Sequence, residues 1–173
     1  MKKTKLYIID LLLLFILIFI DQYTKYLAII KLKDSAAFSI INNVLEFNYL
    51  ENYGAAFGML QNQKIFFVFV AVIFIAIIIF VLIKTPLDKK YTKLHILLVM
   101  IIAGAIGNLI DRIRFDYVVD FIYFSLINFP IFNFADICVT VSTFLLIILI
   151  LFVYKEHDFY FLSYNNEKFR ELK

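Results

Sequence analysis

The segment from Ile65 to Ile83 contains only apolar residues and carries no charge. As a helix it would be about 28 Å long at 1.5 Å per residue, close to the thickness of a bilayer's hydrocarbon core. The whole chain is 64% hydrophobic and only 18% charged. Because a water-soluble domain of 173 residues cannot enclose that many apolar side chains, the sequence predicts a membrane protein.

Three further segments are long and apolar enough to cross a bilayer, so that spans are predicted at about 6–30, 65–83, 94–112 and 137–154. We expect residues 1–173 to form a single membrane domain, with outer segments at about 31–64 and 113–136 and a cytoplasmic tail at 155–173. The predicted fold class is an all-α polytopic membrane protein with four transmembrane helices. The basic N-terminus and the apolar run after it are similar to a secretory signal, but no small-residue cleavage site follows, so this segment is interpreted as an uncleaved first span.

Basic residues are distributed unevenly between the two ends of the predicted spans. If the N-terminus lies in the cytoplasm, eleven basic residues lie on the inner side and five on the outer side. The inner residues are Lys2, Lys3, Lys5, Lys84, Lys89, Lys90, Lys93, Lys155, Lys168, Arg170 and Lys173, and the outer residues are Lys31, Lys33, Lys64, Arg112 and Arg114. Since cytoplasmic loops are enriched in Lys and Arg, this count predicts that both termini are cytoplasmic.

The first outer segment contains a short alternating pattern. Leu45, Phe47 and Tyr49 alternate with polar residues, which is typical of a half-buried strand, and the small residues of Asn52 to Gly58 suit a tight turn. A small extracytoplasmic β-sheet against the membrane surface would fit this pattern. The alternative is an irregular loop.

Several ionisable residues lie at membrane depth, where they are costly and usually mark a site or a buried pair. Asp21 and Lys25 are spaced i,i+4 in the first span, and alone they favour an ion pair that anchors the end of the helix. Asn108, Asp111 and Arg112 fall on one face of the third helix, next to glycines that allow close helix approach. These three residues indicate a polar network at the membrane edge.

Two aspartates, Asp120 and Asp136, lie in apolar surroundings at the same end of the predicted spans. Facing each other, they would form a pair that shares one proton, with one carboxylate activating a water and the other acting as an acid toward a carbonyl. The alternatives are separate roles, with Asp120 in a surface salt bridge to Arg114 or Arg112 and Asp136 as the N-cap of the fourth helix. The spacing alone leaves both possibilities open.

Other chemistries are disfavoured by the predicted topology. Cys138 lies near the outer face, whereas His95 and His157 lie on the cytoplasmic side, roughly 25 to 30 Å away across the bilayer. This separation excludes a Cys/His pair and a His/Asp metal site, so Cys138 is interpreted as a small core residue. The basic residues border the apolar runs and form no patch that would bind nucleic acid.

With these residues collected, the chain resembles the lipoprotein signal peptidases (signal peptidase II), which are bacterial inner-membrane aspartyl proteases. Five segments carry the resemblance, in the family's order: Asp21-Gln-Tyr-Thr-Lys25, Asn52-Tyr-Gly-Ala-Ala-Phe-Gly58, Gly104-Ala-Ile-Gly-Asn-Leu-Ile-Asp-Arg112, Val118-Val-Asp-Phe121 and Phe132-Asn-Phe-Ala-Asp136. The resemblance implies four membrane helices, a small extracytoplasmic sheet and cytoplasmic termini.

The resemblance also implies roles for individual residues. Asp120 and Asp136 would be the catalytic pair, and Asp21 and Lys25 would be more structural. The residues that would line or brace the site are Asn52, Gly54, Asn108, Asp111, Arg112 and Asn133.

The implied substrate is a prolipoprotein that carries diacylglycerol on its cysteine and is cut on the N-terminal side of that cysteine. The site would face the outer side of the bacterial inner membrane, and no metal or organic cofactor would be needed. The expected partners are this substrate and membrane lipid, without nucleic acid, and a monomer is compatible with the sequence. A small proton-coupled transporter that uses buried carboxylates is the alternative function, and a purely structural membrane protein is a third.

Overall fold

The computed structural model describes residues 3–54 and 63–162, and within these ranges it contains four long helices and a three-stranded antiparallel sheet. The helices are α1 (Lys3–Leu32), α2 (Lys64–Lys84), α3 (Thr92–Phe115) and α4 (Phe134–Phe152), and the strands are β1 (Phe38–Ile41), β2 (Leu45–Asn52) and β3 (Val118–Tyr123). All four helices are long and apolar enough to cross a membrane, as predicted. Short 3-10 turns occur at Lys89–Tyr91, Ser125–Ile127 and Glu156–Leu162.

Helix α3 is the centre of the helix bundle, and the other three helices pack on it. Two of its glycines bring neighbouring chains close. A Cβ atom at Gly104 would lie 2.7 Å from the Val139 side chain of α4, and one at Gly107 would lie 2.9 Å from Cγ of Asp21 in α1. In contrast, α2 buries only Ile75 and exposes most of its apolar side chains, as expected for a helix in contact with lipid.

The sheet covers one end of the bundle, here called the sheet end, where α1 and α3 finish and α4 begins. Its strand order is β1-β2-β3, with Asn52 opposite Val118. Phe47 of β2 packs with Phe121 of β3 and Ala28 of α1, which fixes the sheet on the bundle. The strand predicted from the alternation at residues 45–49 is confirmed, and the irregular-loop alternative is wrong there.

Each predicted span differs from the observed helix by one to three residues at both ends, and two of these differences affect the predicted outer segment 113–136. Helix α3 continues to Phe115 and ends where Asp116 adopts a left-handed conformation (φ 71°), so the predicted outer segment 113–136 begins inside a helix. Helix α4 begins at Phe134 rather than 137, because the side chain of Asn133 caps its first turn. Residues 55–58 of the predicted turn and residues 163–173 of the predicted tail lie outside the described residues.

Candidate active site

Asp120 lies in the middle of β3 and is 1% exposed. Each of its carboxylate oxygens accepts one amide hydrogen bond: Oδ2 from Asn52 Nδ2 at 2.8 Å and Oδ1 from Asn133 Nδ2 at 2.7 Å. Burial, together with the negative charge of Asp136, raises the pKa of Asp120 to about 7, while the two amide donors oppose this rise. Asp120 therefore titrates near neutral pH.

Asp136 lies in the first turn of α4, where it forms a capping box with Asn133. The Asn133 side chain accepts from Asp136 N at 3.0 Å, and Asp136 Oδ2 accepts from Asn133 N at 3.1 Å. The other oxygen, Oδ1, accepts from Asn108 Nδ2 at 2.8 Å. The alternative of Asp136 as the N-cap is therefore wrong, because Asn133 is the cap, and Asp136 has one oxygen in the box and one facing α3.

The side chain of Asn133 joins the two aspartates. It is completely buried, and its Nδ2 donates both to Asp120 and to Asn108 Oδ1, at 2.7 and 3.1 Å. Within residues 3–54 and 63–162, the partners of Asp120 are asparagine amides, and it makes no salt bridge to Arg112 or Arg114. The salt-bridge alternative is therefore wrong.

Arg112 and Gly54 connect this pair to the end of β2. Arg112 donates to the backbone carbonyls of Gly54 and Asn108, at 3.4 and 3.3 Å, and its guanidinium lies 5.0 Å from the ring centre of Phe67 in α2. Gly54 N donates to Asn52 Oδ1 at 3.0 Å, which leaves the amide nitrogen of Asn52 to face Asp120. Backbone contacts thus set the direction of an amide that holds Asp120.

Beneath the aspartates, Lys25 binds two carboxylates instead of the single one predicted. Its Nζ lies 3.0 Å from Asp21 Oδ2 and 2.9 Å from Asp111 Oδ2, and all three side chains are at most 2% exposed. The predicted i,i+4 pair is present, but it belongs to a network that joins α1 to α3. Gln22, which the sequence analysis did not single out, also donates to Asp21 and Asp111, at 3.0 and 3.1 Å. Gln22 could have been identified from the sequence because it is a polar residue inside a predicted span, between two ionisable residues.

All ten predicted site residues thus belong to one continuous network of hydrogen bonds and ion pairs. The network borders a cavity of about 910 Å³ whose walls include Asn52, Arg112, Asp120 and Asp136, together with apolar residues of β2, β3 and α4. Two carboxylates that share the Asn133 side chain, one of them with a pKa raised to about 7, are able to activate a water and protonate a carbonyl. In the described part of the chain, no group of three His, Cys, Asp or Glu side chains is arranged to bind a metal ion.

Four helices of membrane-spanning length therefore hold, at the sheet end, a cavity lined by Asp120 and Asp136. The profile of the family described as Signal peptidase (SPase) II matches residues 13–152. The chain belongs to the signal peptidase II family, and it is therefore a peptidase. This membership favours the peptidase over the transporter and structural alternatives.

Curated relatives and solved structures agree with this assignment. The chain is 44% identical over 136 residues to a lipoprotein signal peptidase of Caldanaerobacter subterraneus subsp. tengcongensis, which covers 78% of this chain and 90% of the relative. It is 41% identical over 145 residues to one of Clostridium tetani, which covers 82% and 90%. A solved structure described as a bacterial membrane enzyme has a TM-score of 0.73 at 31% identity and covers 82% of this chain and 87% of its own.

Proposed function

We propose that Asp120 and Asp136 are the catalytic pair with which this protein removes signal peptides from prolipoproteins. The observation that carries the proposal is the bridge through Asn133, which holds both carboxylates at the wall of one cavity. Asn52, Asn108 and Arg112 line or brace that site, as the family resemblance implies. The protein acts as an aspartic endopeptidase without a metal or organic cofactor.

The raised pKa of Asp120 supports a division of roles within the pair. Asp120 is desolvated, and its raised pKa keeps it largely protonated up to about pH 7. Asp136, in the first turn of α4, accepts from the backbone N–H of Asn133 and from the side-chain amide of Asn108 in α3. Because Asp120 holds its proton more readily than an ordinary carboxyl group, we assign it as the acid and Asp136 as the base of a coupled pair.

Each half of the proposed reaction moves two protons. Asp136 takes a proton from water while the water oxygen attacks the scissile carbonyl, and Asp120 gives its proton to the carbonyl oxygen. As the carbon–nitrogen bond breaks, Asp136 passes its proton to the leaving amine and the hydroxyl proton returns to Asp120. The pair is restored in its starting state.

The shape of the cavity supports a lipid-modified substrate. Ile137 and Val141 of α4 line its wall and are 36% and 43% exposed, so an apolar surface runs from Asp136 along the helix. In a bilayer this surface is available to the acyl chains of a diacylglyceryl cysteine, which would place the adjoining peptide bond at the aspartates. We therefore assign cleavage to the N-terminal side of the lipidated cysteine.

The orientation in the membrane follows from the distribution of charge. The protein is a multi-pass membrane protein, and the excess of Lys and Arg in the segments expected inside supports cytoplasmic termini. The sheet end and its cavity then lie at the outer face of the bacterial inner membrane. Residues 1–173 form one membrane domain in this proposal.

Cleavage of a diacylglyceryl-modified precursor peptide by purified protein tests the assignment. Asp120→Asn and Asp136→Asn are each expected to lower kcat by at least about 100-fold, because one proton transfer is lost. Asp116→Asn, which changes an exposed aspartate paired with Lys64 outside the cavity, is the matched control and is expected to keep wild-type activity. Near-normal activity in Asp120→Asn or Asp136→Asn would contradict the assignment of the catalytic pair. Equal cutting of an unlipidated peptide would contradict the substrate class.

A further inference from the structure

We propose that the buried triad of Asp21, Lys25 and Asp111 positions the catalytic pair, by holding the peptide N–H group immediately before each catalytic aspartate. This inference rests on the proposed roles of Asp120 and Asp136. It assigns to the triad a function in catalysis in addition to its place in helix packing.

The two acids of the triad bind the backbone at equivalent places. Asp111 Oδ2 accepts from Val119 N at 3.1 Å, and Val119 immediately precedes Asp120 in β3. Asp21 Oδ1 accepts from Ala135 N at 2.9 Å, and Ala135 immediately precedes Asp136 in α4. Each catalytic aspartate is therefore only one residue away from a backbone bond to a charged group.

Lys25 joins these two bonds into one unit. Its ammonium group contacts Asp21 and Asp111 at 3.0 and 2.9 Å, and Gln22 donates to the same two carboxylates. The strand and the helix that carry the catalytic pair are thus both tied to α1. Because buried ions are costly to desolvate and apolar residues of similar volume often pack as stably, anchoring alone does not explain three buried ionisable groups.

A third contact of Lys25 reaches the pair through a side chain. Lys25 Nζ donates to Asn108 Oδ1 at 2.9 Å, so the amide of Asn108 must direct its Nδ2 toward the other side. That Nδ2 donates to Asp136 Oδ1 at 2.8 Å. Lys25, together with Asn133 Nδ2, which donates to the same oxygen at 3.1 Å, therefore fixes the donor that faces Asp136, and a reversed amide would place an oxygen against the carboxylate.

The charge of Lys25 also acts on Asp120, where it opposes the rise in pKa caused by burial. The charged groups around the pair are Asp21 and Lys25 from α1, Glu51 from β2, and Asp111 and Arg112 from α3. Removal of the Lys25 charge is expected to make Asp120 harder to ionise, and removal of the negative charge of Asp111 is expected to make it easier. The two changes therefore predict pH shifts of opposite sign.

The test is the pH profile of cleavage of the lipidated precursor peptide by Lys25→Met and Asp111→Asn. Lys25→Met is expected to lower kcat by about 10- to 100-fold with little change in KM, because a small misplacement of reacting groups has effects of this size. Its profile should move to higher pH, and that of Asp111→Asn to lower pH. Lys25→Arg, which keeps the charge, is expected to recover part of the lost kcat.

Asp10→Asn is the matched control for a loss of helix packing. Asp10 binds His95 Nδ1 at 2.8 Å, so this buried contact also joins α1 to α3, but it lies about 16 Å along α1 from Asp21. Asp10→Asn is expected to lower Tm and to leave kcat and the pH profile unchanged. If Lys25→Met also lowers Tm and leaves kcat and the pH profile unchanged, the positioning role is overturned.

Two outcomes keep this inference separate from the proposed function. If Lys25→Met does not fold, Asp111→Asn decides, and a wild-type kcat with an unshifted profile overturns the inference. If Asp120→Asn or Asp136→Asn remains active, the assignment of the catalytic pair fails, whatever the triad variants do. Both proposals are supported if Asp120→Asn and Asp136→Asn are inactive and the pH profiles of Lys25→Met and Asp111→Asn are shifted.

Discussion

At the scale of single residues, Asn133 combines two roles that are usually separate. Its side-chain oxygen caps α4, and its side-chain nitrogen donates to Asp120. Asn133→Ser keeps a capping oxygen and loses the amide donor, whereas Asn133→Ala loses both. We predict that both variants lose cleavage activity, and that Asn133→Ala is less stable than Asn133→Ser by about 1 kcal/mol, the usual value of an N-cap.

Thermal unfolding in detergent and peptide cleavage would be measured for both variants. The informative comparison is Asn133→Ser with wild type, because a stable and inactive serine variant separates the donor role from the cap. A serine variant with wild-type kcat would show that the bond from Asn133 to Asp120 is not needed.

The raised pKa of Asp120 predicts how stability depends on pH. Its ordinary value is 3.8 and its value in the folded protein is about 7, so folding favours the protonated form. The contribution of Asp120 to stability is therefore greatest below about pH 4, decreases as pH rises, and levels off above about pH 7. Asn at this position does not titrate. The Tm of Asp120→Asn minus that of wild type is expected to increase between pH 4 and 7, and a constant difference would contradict the raised pKa.

The same pKa predicts the activity profile of the wild-type protein. As pH rises through about 7, Asp120 loses the proton that it gives to the substrate carbonyl, so kcat/KM is expected to decline. A coupled pair is expected to give a bell-shaped profile, because a general base that is protonated at low pH no longer accepts a proton from water. The measurement is kcat/KM from about pH 3 to 9. A rate that does not change between about pH 3 and 8 would argue against the carboxylate pair.

The site residues were predictable from the sequence because carboxylates and amides inside a membrane stand out against apolar neighbours. The hydrogen-bond partners of these residues were harder to predict. Asn52, Asn108 and Asn133 come from β2, α3 and the start of α4, so only the fold shows that their amides meet at Asp120 and Asp136. The alternative roles for these aspartates were wrong for the same reason, because both were inferred from residues nearby in the sequence.

At the scale of elements, the four helices follow from the length of the apolar runs, but the sheet was predicted only in part. Strand β2 alternates polar and apolar residues, whereas Val118 to Phe121 of β3 are all buried and show no alternation. A continuous apolar run of this length does not distinguish a buried strand from a helix. Strand β1 is exposed along its whole length. Because neither of its faces is buried, its four residues do not alternate between apolar and polar in the way that predicts a half-buried strand.

The glycines of α3 give a prediction at this scale. A methyl group at Gly107 would meet the Asp21 carboxylate, and one at Gly104 would meet the backbone carbonyl of Ala135. Gly107→Ala and Gly104→Ala are therefore expected to destabilise the protein by about 1–3 kcal/mol, the usual cost of overpacking. Ile113→Ala, on the same helix at a residue that is 59% exposed, is the control and should have little effect on Tm. Unchanged Tm in both glycine variants would contradict the close packing of α3.

At the scale of the whole molecule, the site depends on both the bundle and the sheet. Helices α1, α3 and α4 supply the triad, Asn108 and Asp136, while the sheet supplies Asn52 and Asp120. Because α3 packs against all three other helices, its sheet end is where groups from α1, α4 and β3 converge. A polar site therefore forms at one end of the bundle in a chain that is 64% hydrophobic.

The proposed orientation is open to a direct test by cysteine labelling. Cys138, the single cysteine of the chain, is buried, and Cys138→Ala provides a background free of thiols. Leu126→Cys introduces a thiol at the sheet end, at a residue that is 68% exposed, and Lys89→Cys introduces one at the opposite end. In intact cells, a membrane-impermeant maleimide is expected to label only the first, because the excess of Lys and Arg places the second in the cytoplasm. Permeabilised cells should label both, and labelling of Lys89→Cys alone in intact cells would reverse the orientation and place the cavity on the cytoplasmic side.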